Sequence, residues 1–208
     1  SQVVALGTAF RQTSTAVAEL ILYNADVITV DAAFTRAEAV AIAGGRIIAV
    51  GADADVLALA AASTAVVDLG GRALLPGFVD PHVHSVQNQT PDLLAMLGEQ
   101  RTLIEGGTTT VGTPAISPFN MVGYDEFVER QLLLQRTHLY VGYNDNCGVV
   151  DTDGFWTSVP FDRSPDELLV FAGVKVFADG GSCHGPAVSF DYLPTMPGYL
   201  RDVGWAGS

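Results

Sequence analysis

The sequence predicts an α/β protein in which a small, mostly β unit over residues 19–73 leads into four strand–helix repeats over 74–208, after an N-terminal tail of residues 1–18. Three observations carry that expectation. Downstream of residue 74, β-branched runs alternate with leucine-rich helical stretches, the pattern of a parallel sheet built from βα units. Upstream, short apolar runs are separated by Asn24-Ala25-Asp26 and Gly44-Gly45, which are turn signals too short to hold a crossover helix. Of the 208 residues 49% are apolar and 16% charged, enough to bury a real core and far from the composition of a disordered chain.

The elements follow in order. Leu20 to Val30 is rich in β-branched and aromatic residues and breaks at Asn24-Ala25-Asp26, predicting two short strands. Ala37–Ala43 and Arg46–Gly51 flank Gly44-Gly45 as a β-hairpin. Asp53–Ala62 carries alanine and leucine with little β-branching and predicts a short helix, after which 65–69 and 70–75 resume the strand pattern. Pro91–Glu105 has helical periodicity and stops at Gly106-Gly107, and residues 107–112 form a strand ended by Thr113-Pro114. Tyr124–Gln135 predicts a helix, 137–142 a third strand, Pro165–Phe171 a short helix and 173–180 a fourth strand. Counted from residue 74 there are four βα units, where a (β/α)8 barrel has eight over about 250 residues. The second region therefore predicts the first half of a TIM-like barrel.

Charge narrows the partners. A formal net charge of −13 argues against nucleic acid or an anionic membrane surface, because nothing in such a chain neutralises phosphates. No apolar run approaches the ~18 residues of a membrane span, and residues 1–18 lack the basic start and apolar core of a signal peptide. Two cysteines, Cys147 and Cys183, are too few for a disulfide scaffold. Together these predict a soluble, cytoplasmic protein with neither nucleic-acid nor membrane partners, although a signal removed before this numbering begins would leave no trace.

The chemistry concentrates in Leu74-Leu75-Pro76-Gly77-Phe78-Val79-Asp80-Pro81-His82-Val83-His84. Alternation along a strand puts His82 and His84 on one face with Val83 on the other, so two imidazoles can share a metal. Working residues of a βα barrel project from the carboxyl ends of its strands, and the pair stands at such an end. The fourth strand contains the only lysine of the chain, Lys175, among nine arginines. Flanked by Val174 and Val176, it points away from both, and a lysine in a core demands a reason because an unpaired buried ammonium is costly. His138 opens the third strand at the wrong end for catalysis and is expected to be structural. His184 falls in a glycine-rich loop after the fourth strand, where it either touches substrate or is merely exposed. Asn144 and Asp145 end the third strand as further substrate-contact candidates. Asp80 is expected to support a ligand histidine or the strand entry through hydrogen bonds. Cys147 and Cys183 are expected to be ordinary small residues.

Pro-Gly-Phe-Val-Asp-Pro-His-Val-His followed by Gly-Val-Lys-Val-Phe-Ala-Asp-Gly resembles the amidohydrolase superfamily, in particular amidohydrolase family 3, the group of the N-substituted formamide deformylases. The resemblance runs from residue 19 onward and covers the family's N-terminal portion only. It implies that residues 19–73 are part of a small β-sandwich completed elsewhere. It also implies a divalent metal centre, two zinc ions, held by His82, His84 and a Lys175 carboxylated by carbon dioxide to a bridging carbamate. Lysine can supply the neutral amine this needs and arginine effectively cannot.

The activity so implied is hydrolysis of a C–N bond in a small amide, formamide, carbamate or cyclic amide. Hydroxide on the metals attacks a polarised carbonyl. The family's histidines on strands five and six and its aspartate on strand eight have no counterpart here. The reading therefore expects a second polypeptide that carries the remaining strands, with a truncated or proteolysed remnant of a longer protein, or pairing of the chain with itself, as the alternatives. Two rival readings stay open. One is a mononuclear deaminase of the same superfamily; the other is a catalytically inactive scaffold.

Overall fold

The structure is a computed structural model that describes residues 17–84, 93–144, 150, 153–159 and 167–177. It divides into two compact units at Pro76/Gly77.

The first unit contains strands β1 (Leu20–Tyr23), β2 (Asp26–Ile28), β3 (Arg36–Ala37), β4 (Ala39–Ala43) and β5 (Arg46–Gly51), helix α1 (Asp53–Leu57), and strands β6 (Ala65–Asp68) and β7 (Ala73–Leu74). They form two sheets of mixed direction, ordered β5-β4-β1-β6 and β3-β2-β7. Asn24 makes the break between β1 and β2 by adopting φ +51°, a left-handed conformation that asparagine tolerates. Its backbone N–H donates to Asp53 Oδ1 at 2.9 Å and its side chain to Asp68 Oδ1 at 2.7 Å. The predicted hairpin forms, with Gly44 (φ +56°) and Gly45 (φ +69°) both in the conformation a two-residue primed turn requires.

Two expectations fail in this unit. The helix predicted over Asp53–Ala62 ends at Leu57, because tight turns from Leu59 to Val56 and from Ala60 to Leu57 replace it. The Thr64 hydroxyl then accepts from Ala61 N–H at 2.8 Å and donates to the Ala18 carbonyl at 2.6 Å, drawing the segment toward β1. The run Ala37–Ala43 is split at Glu38, so that Ala37 belongs to one sheet and β4 to the other. Two clusters are buried in this unit: Ala18, Ile21, Ala39, Ala41 and Val56 form one, and in the other Val40 of β4 joins Ala25 and Val27.

The second unit contains β8 (Phe78–Asp80), α2 (Leu93–Glu105), β9 (Thr108–Ile116), α3 (Pro118–Glu129), β10 (Arg136–Gly142), the short α4 (Phe155–Ser158) and β11 (Leu169–Lys175). Its four strands lie in the order β11-β10-β9-β8, and every neighbouring pair is parallel. Strand therefore follows strand across the sheet in chain order, as βα units require. Alternation along β10 buries Thr137, Leu139 and Val141 on one face, and Leu139 joins Met96, Tyr124, Phe127 and Ile116 in the core. Among the described residues no helix is long and apolar enough to cross a membrane.

Three boundaries here differ from the sequence reading. Helix α3 begins six residues before Tyr124, at Pro118, because Ser117 and Asn120 form a reciprocal capping box, and it stops before Gln131, whose φ is +56°. Strand β9 continues through Pro114 to Ile116. By then β8 has ended, and a register shift with Ala115 at φ +62° accommodates a residue that cannot donate to the ladder. Residues 169–171, predicted as helix, are the start of β11: the buried Val170 and its neighbours pair with Thr137–Leu139, and sheet pairing outweighs local helical pattern.

Candidate functional site

The carboxyl ends of the four parallel strands share one edge of the second unit. β8 ends at Asp80, the chain bends at Pro81, and it is tied to β9 by a hydrogen bond from Val83 N–H to the Gly112 carbonyl at 2.8 Å. The alternation around Val83 leaves His82 and His84 on one side. Their Nε2 atoms stand 2.9 Å apart and their rings meet edge to face with centroids 4.8 Å apart. Two neutral imidazoles placed this way can share at most one proton between them. One zinc ion bound at about 2.0–2.1 Å to each nitrogen needs the two within roughly 4 Å of each other. The pair therefore fits a shared metal ion. Among the described residues no group of three or more histidine, cysteine, aspartate or glutamate side chains could hold one.

Two features shape this turn. Asp80 Oδ1 accepts the His82 backbone N–H at 3.1 Å, so its carboxylate fixes the main chain beside the histidine. At Gly112 a Cβ would lie 2.5 Å from the Pro81 carbonyl oxygen, so only glycine lets the turn approach β9 this closely. Gly112 was not singled out from the sequence. Its signal was a glycine inside a β-branched run, which marks close backbone approach.

Lys175 is the last residue of β11 and pairs with Gly142. That register puts it on the face of Tyr140 and His138, opposite Leu139 and Val141. His138 is the third residue of β10, remote from the strand's carboxyl end. The Lys175 Nζ lies 4.8 Å from the centroid of the Phe177 ring. β11 and β8 are the two outer strands, so Lys175 and the histidine pair stand three strand spacings apart, about 14 Å measured along the sheet.

Asn144 has both polar atoms engaged by one residue: Nδ2 donates to the Phe177 carbonyl and Oδ1 accepts the Phe177 N–H, each at 2.8 Å. Tyr143, just before it, packs edge to face on Trp156 of α4, an aromatic pair that sequence reasoning did not anticipate. Asp145, His184, Cys147 and Cys183 lie outside the described residues.

One buried group beneath the sheet is perturbed. Burial pushes the Tyr124 phenol up to about 12, and the Glu99 charge adds to the shift, while the facing Thr113 hydroxyl opposes it. That Thr113 hydroxyl is buried and has no hydrogen-bond partner of good geometry among the described residues.

No family model matches the chain. Among curated proteins, an N-substituted formamide deformylase of Arthrobacter pascens is 41% identical over 96 residues, 42% of this chain and 18% of the relative. An allantoinase of Streptomyces avermitilis is 36% identical over 129 residues, 60% of this chain and 27% of the relative. The chain thus matches only about a fifth to a quarter of the length of these relatives. Among solved structures, an uncharacterized metal-dependent hydrolase from Pyrococcus furiosus superimposes with a TM-score of 0.70 at 13% identity, over 83% of this chain and 59% of that one. That likeness is one of fold. Joined to the histidine pair at the end of the first parallel strand, the sequence matches support reading the chain as the N-terminal portion of an amidohydrolase-superfamily protein.

Proposed function

We propose that this chain belongs to a metal-dependent hydrolase that cleaves a C–N bond outside peptides, in a small amide, formamide, carbamate or cyclic amide. The observation that carries the reading is the 2.9 Å convergence of His82 and His84 at the carboxyl end of a parallel strand. On this reading the first unit is part of a β-sandwich and the second is the first half of a (β/α)8 barrel, whose curvature would draw the two outer strands toward each other. The parallel strands in chain order support that architecture.

His82 and His84 would hold one of two zinc ions, and Asp80 would support them by fixing the backbone between strand and ligand. Lys175, at the end of the fourth strand, would lose its ammonium proton and take up carbon dioxide on the neutral amine, forming an N–C bond and releasing a second proton to solvent, and the resulting carbamate would supply anionic oxygen ligands for the metals. When bound, the metals lower the pKa of water and polarise the scissile carbonyl. Asp145 and His184, which follow the third and fourth strands in the sequence, are the substrate contacts on this reading. The remaining ligands and the proton-shuttling carboxylate come from outside these 208 residues, on a second polypeptide or a further part of the same protein.

Metal analysis of the purified protein tests this. We expect bound divalent metal, lost in His82→Ala and in His84→Ala, with Lys175→Ala losing the second ion. A well-folded protein that includes the part supplying the remaining ligands and still binds no divalent metal overturns the reading, and a single ion per site indifferent to Lys175 favours the mononuclear deaminase.

A further inference from the structure

We infer that Asn144 is a positioning residue for Lys175: its carboxamide clamps the chain just beyond β11 and thereby sets where the lysine amine stands. The β10–β11 ladder ends at Gly142↔Lys175, and a parallel strand normally frays past its last partner. Here the pairing is prolonged in a different currency. Tyr143 N–H donates to the Lys175 carbonyl at 2.9 Å, and the Asn144 side chain then takes both the N–H and the carbonyl of Phe177, as a peptide group of an additional strand residue would. The backbone of Asn144 is itself held, through an isolated antiparallel bridge to Val150.

The side-chain chemistry explains the residue type. The clamp needs one donor and one acceptor at short reach, which asparagine supplies; aspartate has no donor and glutamine is longer by a methylene. With its backbone fixed at both polar groups, Phe177 keeps its ring 4.8 Å from the Lys175 ammonium, and two residues along an extended chain the two side chains share a side. Asn144 therefore acts on the amine through Phe177, which assigns it a different task from substrate contact. The inference rests on the hydrolase reading only for its purpose, which is to present one amine geometry to carbon dioxide and metal.

Because Lys175 is the chain's only lysine, ¹³C-lysine labelling gives a single Cε–Hε correlation that reports on this amine alone. Recorded on metal-free protein, the wild-type signal is expected upfield of free lysine, displaced by the Phe177 ring. Asn144→Ala is expected to return it to the free-lysine position while the circular dichroism stays native. Asn144→Asp, which keeps the acceptor for Phe177 N–H and loses the donor, is expected to lie between the two, and it decides the matter if the alanine variant does not fold. A wild-type signal at the free-lysine position, or a folded variant whose signal stays at the wild-type position, overturns the clamp. A displaced wild-type signal that responds to Asn144, in a protein that binds no divalent metal even with the part supplying the remaining ligands present, upholds the clamp and refutes the hydrolase reading.

Discussion

A single methyl group measures how tightly the histidine turn is built. In Gly112→Ala the new Cβ meets the Pro81 carbonyl at 2.5 Å, and Pro81 immediately precedes His82. The expected result is a loss of ~1–3 kcal/mol in urea unfolding, the usual cost of overpacking. A metal titration should show at least tenfold weaker binding, because the turn that carries both imidazoles must shift. Tyr124 makes a separate prediction at the same scale. Its folded pKa of about 12 exceeds the ordinary 10.0, so above pH 10 the unfolded chain releases the proton while the folded chain retains it. Stability is therefore full below pH 10 and falls as the pH rises toward 12, by at most roughly 2.7 kcal/mol from this group. Urea midpoints of Tyr124→Phe should lose that part of the alkaline decline. The shared side of His82 and His84 was legible in the sequence from alternation, and so was a lone lysine in the fourth strand. Gly112 was not, and Asn144 was read only as a substrate-contact candidate, because what each does depends on which backbone passes beside it.

Elements were legible where turn chemistry is local and blurred where two signals compete. Asn24 and the Gly44-Gly45 pair mark their turns without help from the rest of the fold. Helix α3 shows the opposite case: periodicity pointed to Tyr124, whereas Ser117, Pro118 and Asn120 start the helix a turn and a half earlier. The capping box predicts its own test. Ser117→Ala removes the side-chain acceptor for Asn120 N–H and should cost about 1 kcal/mol, read as a lowered urea midpoint with an unchanged slope. β11 displaces the predicted helix at Leu169–Phe171 because the partner that stabilises it, β10, lies some thirty residues earlier in the chain. A window of eleven to eighteen residues cannot contain that information.

At the scale of the whole molecule the strand–helix alternation gave the parallel sheet and its order, and the composition gave its core. Among the described residues both outer strands of that sheet are open on one side, and β8 leaves Phe78 and Val79 at 57% and 65% exposure. An open edge with apolar side chains invites edge-to-edge association. Val79→Lys is therefore expected to lower concentration-dependent light scattering relative to wild type, and unchanged scattering would place the association elsewhere.

The sheet order has a consequence in time. Strands β8, β9, β10 and β11 join at one growing edge, so each can dock on its predecessor as the chain leaves the ribosome, with no strand inserted between two already paired. The histidine turn is synthesised first, and Lys175 emerges 91 residues after His84, about 5–18 s later at ordinary elongation rates. Through that interval the nascent sheet holds two converging imidazoles and no lysine.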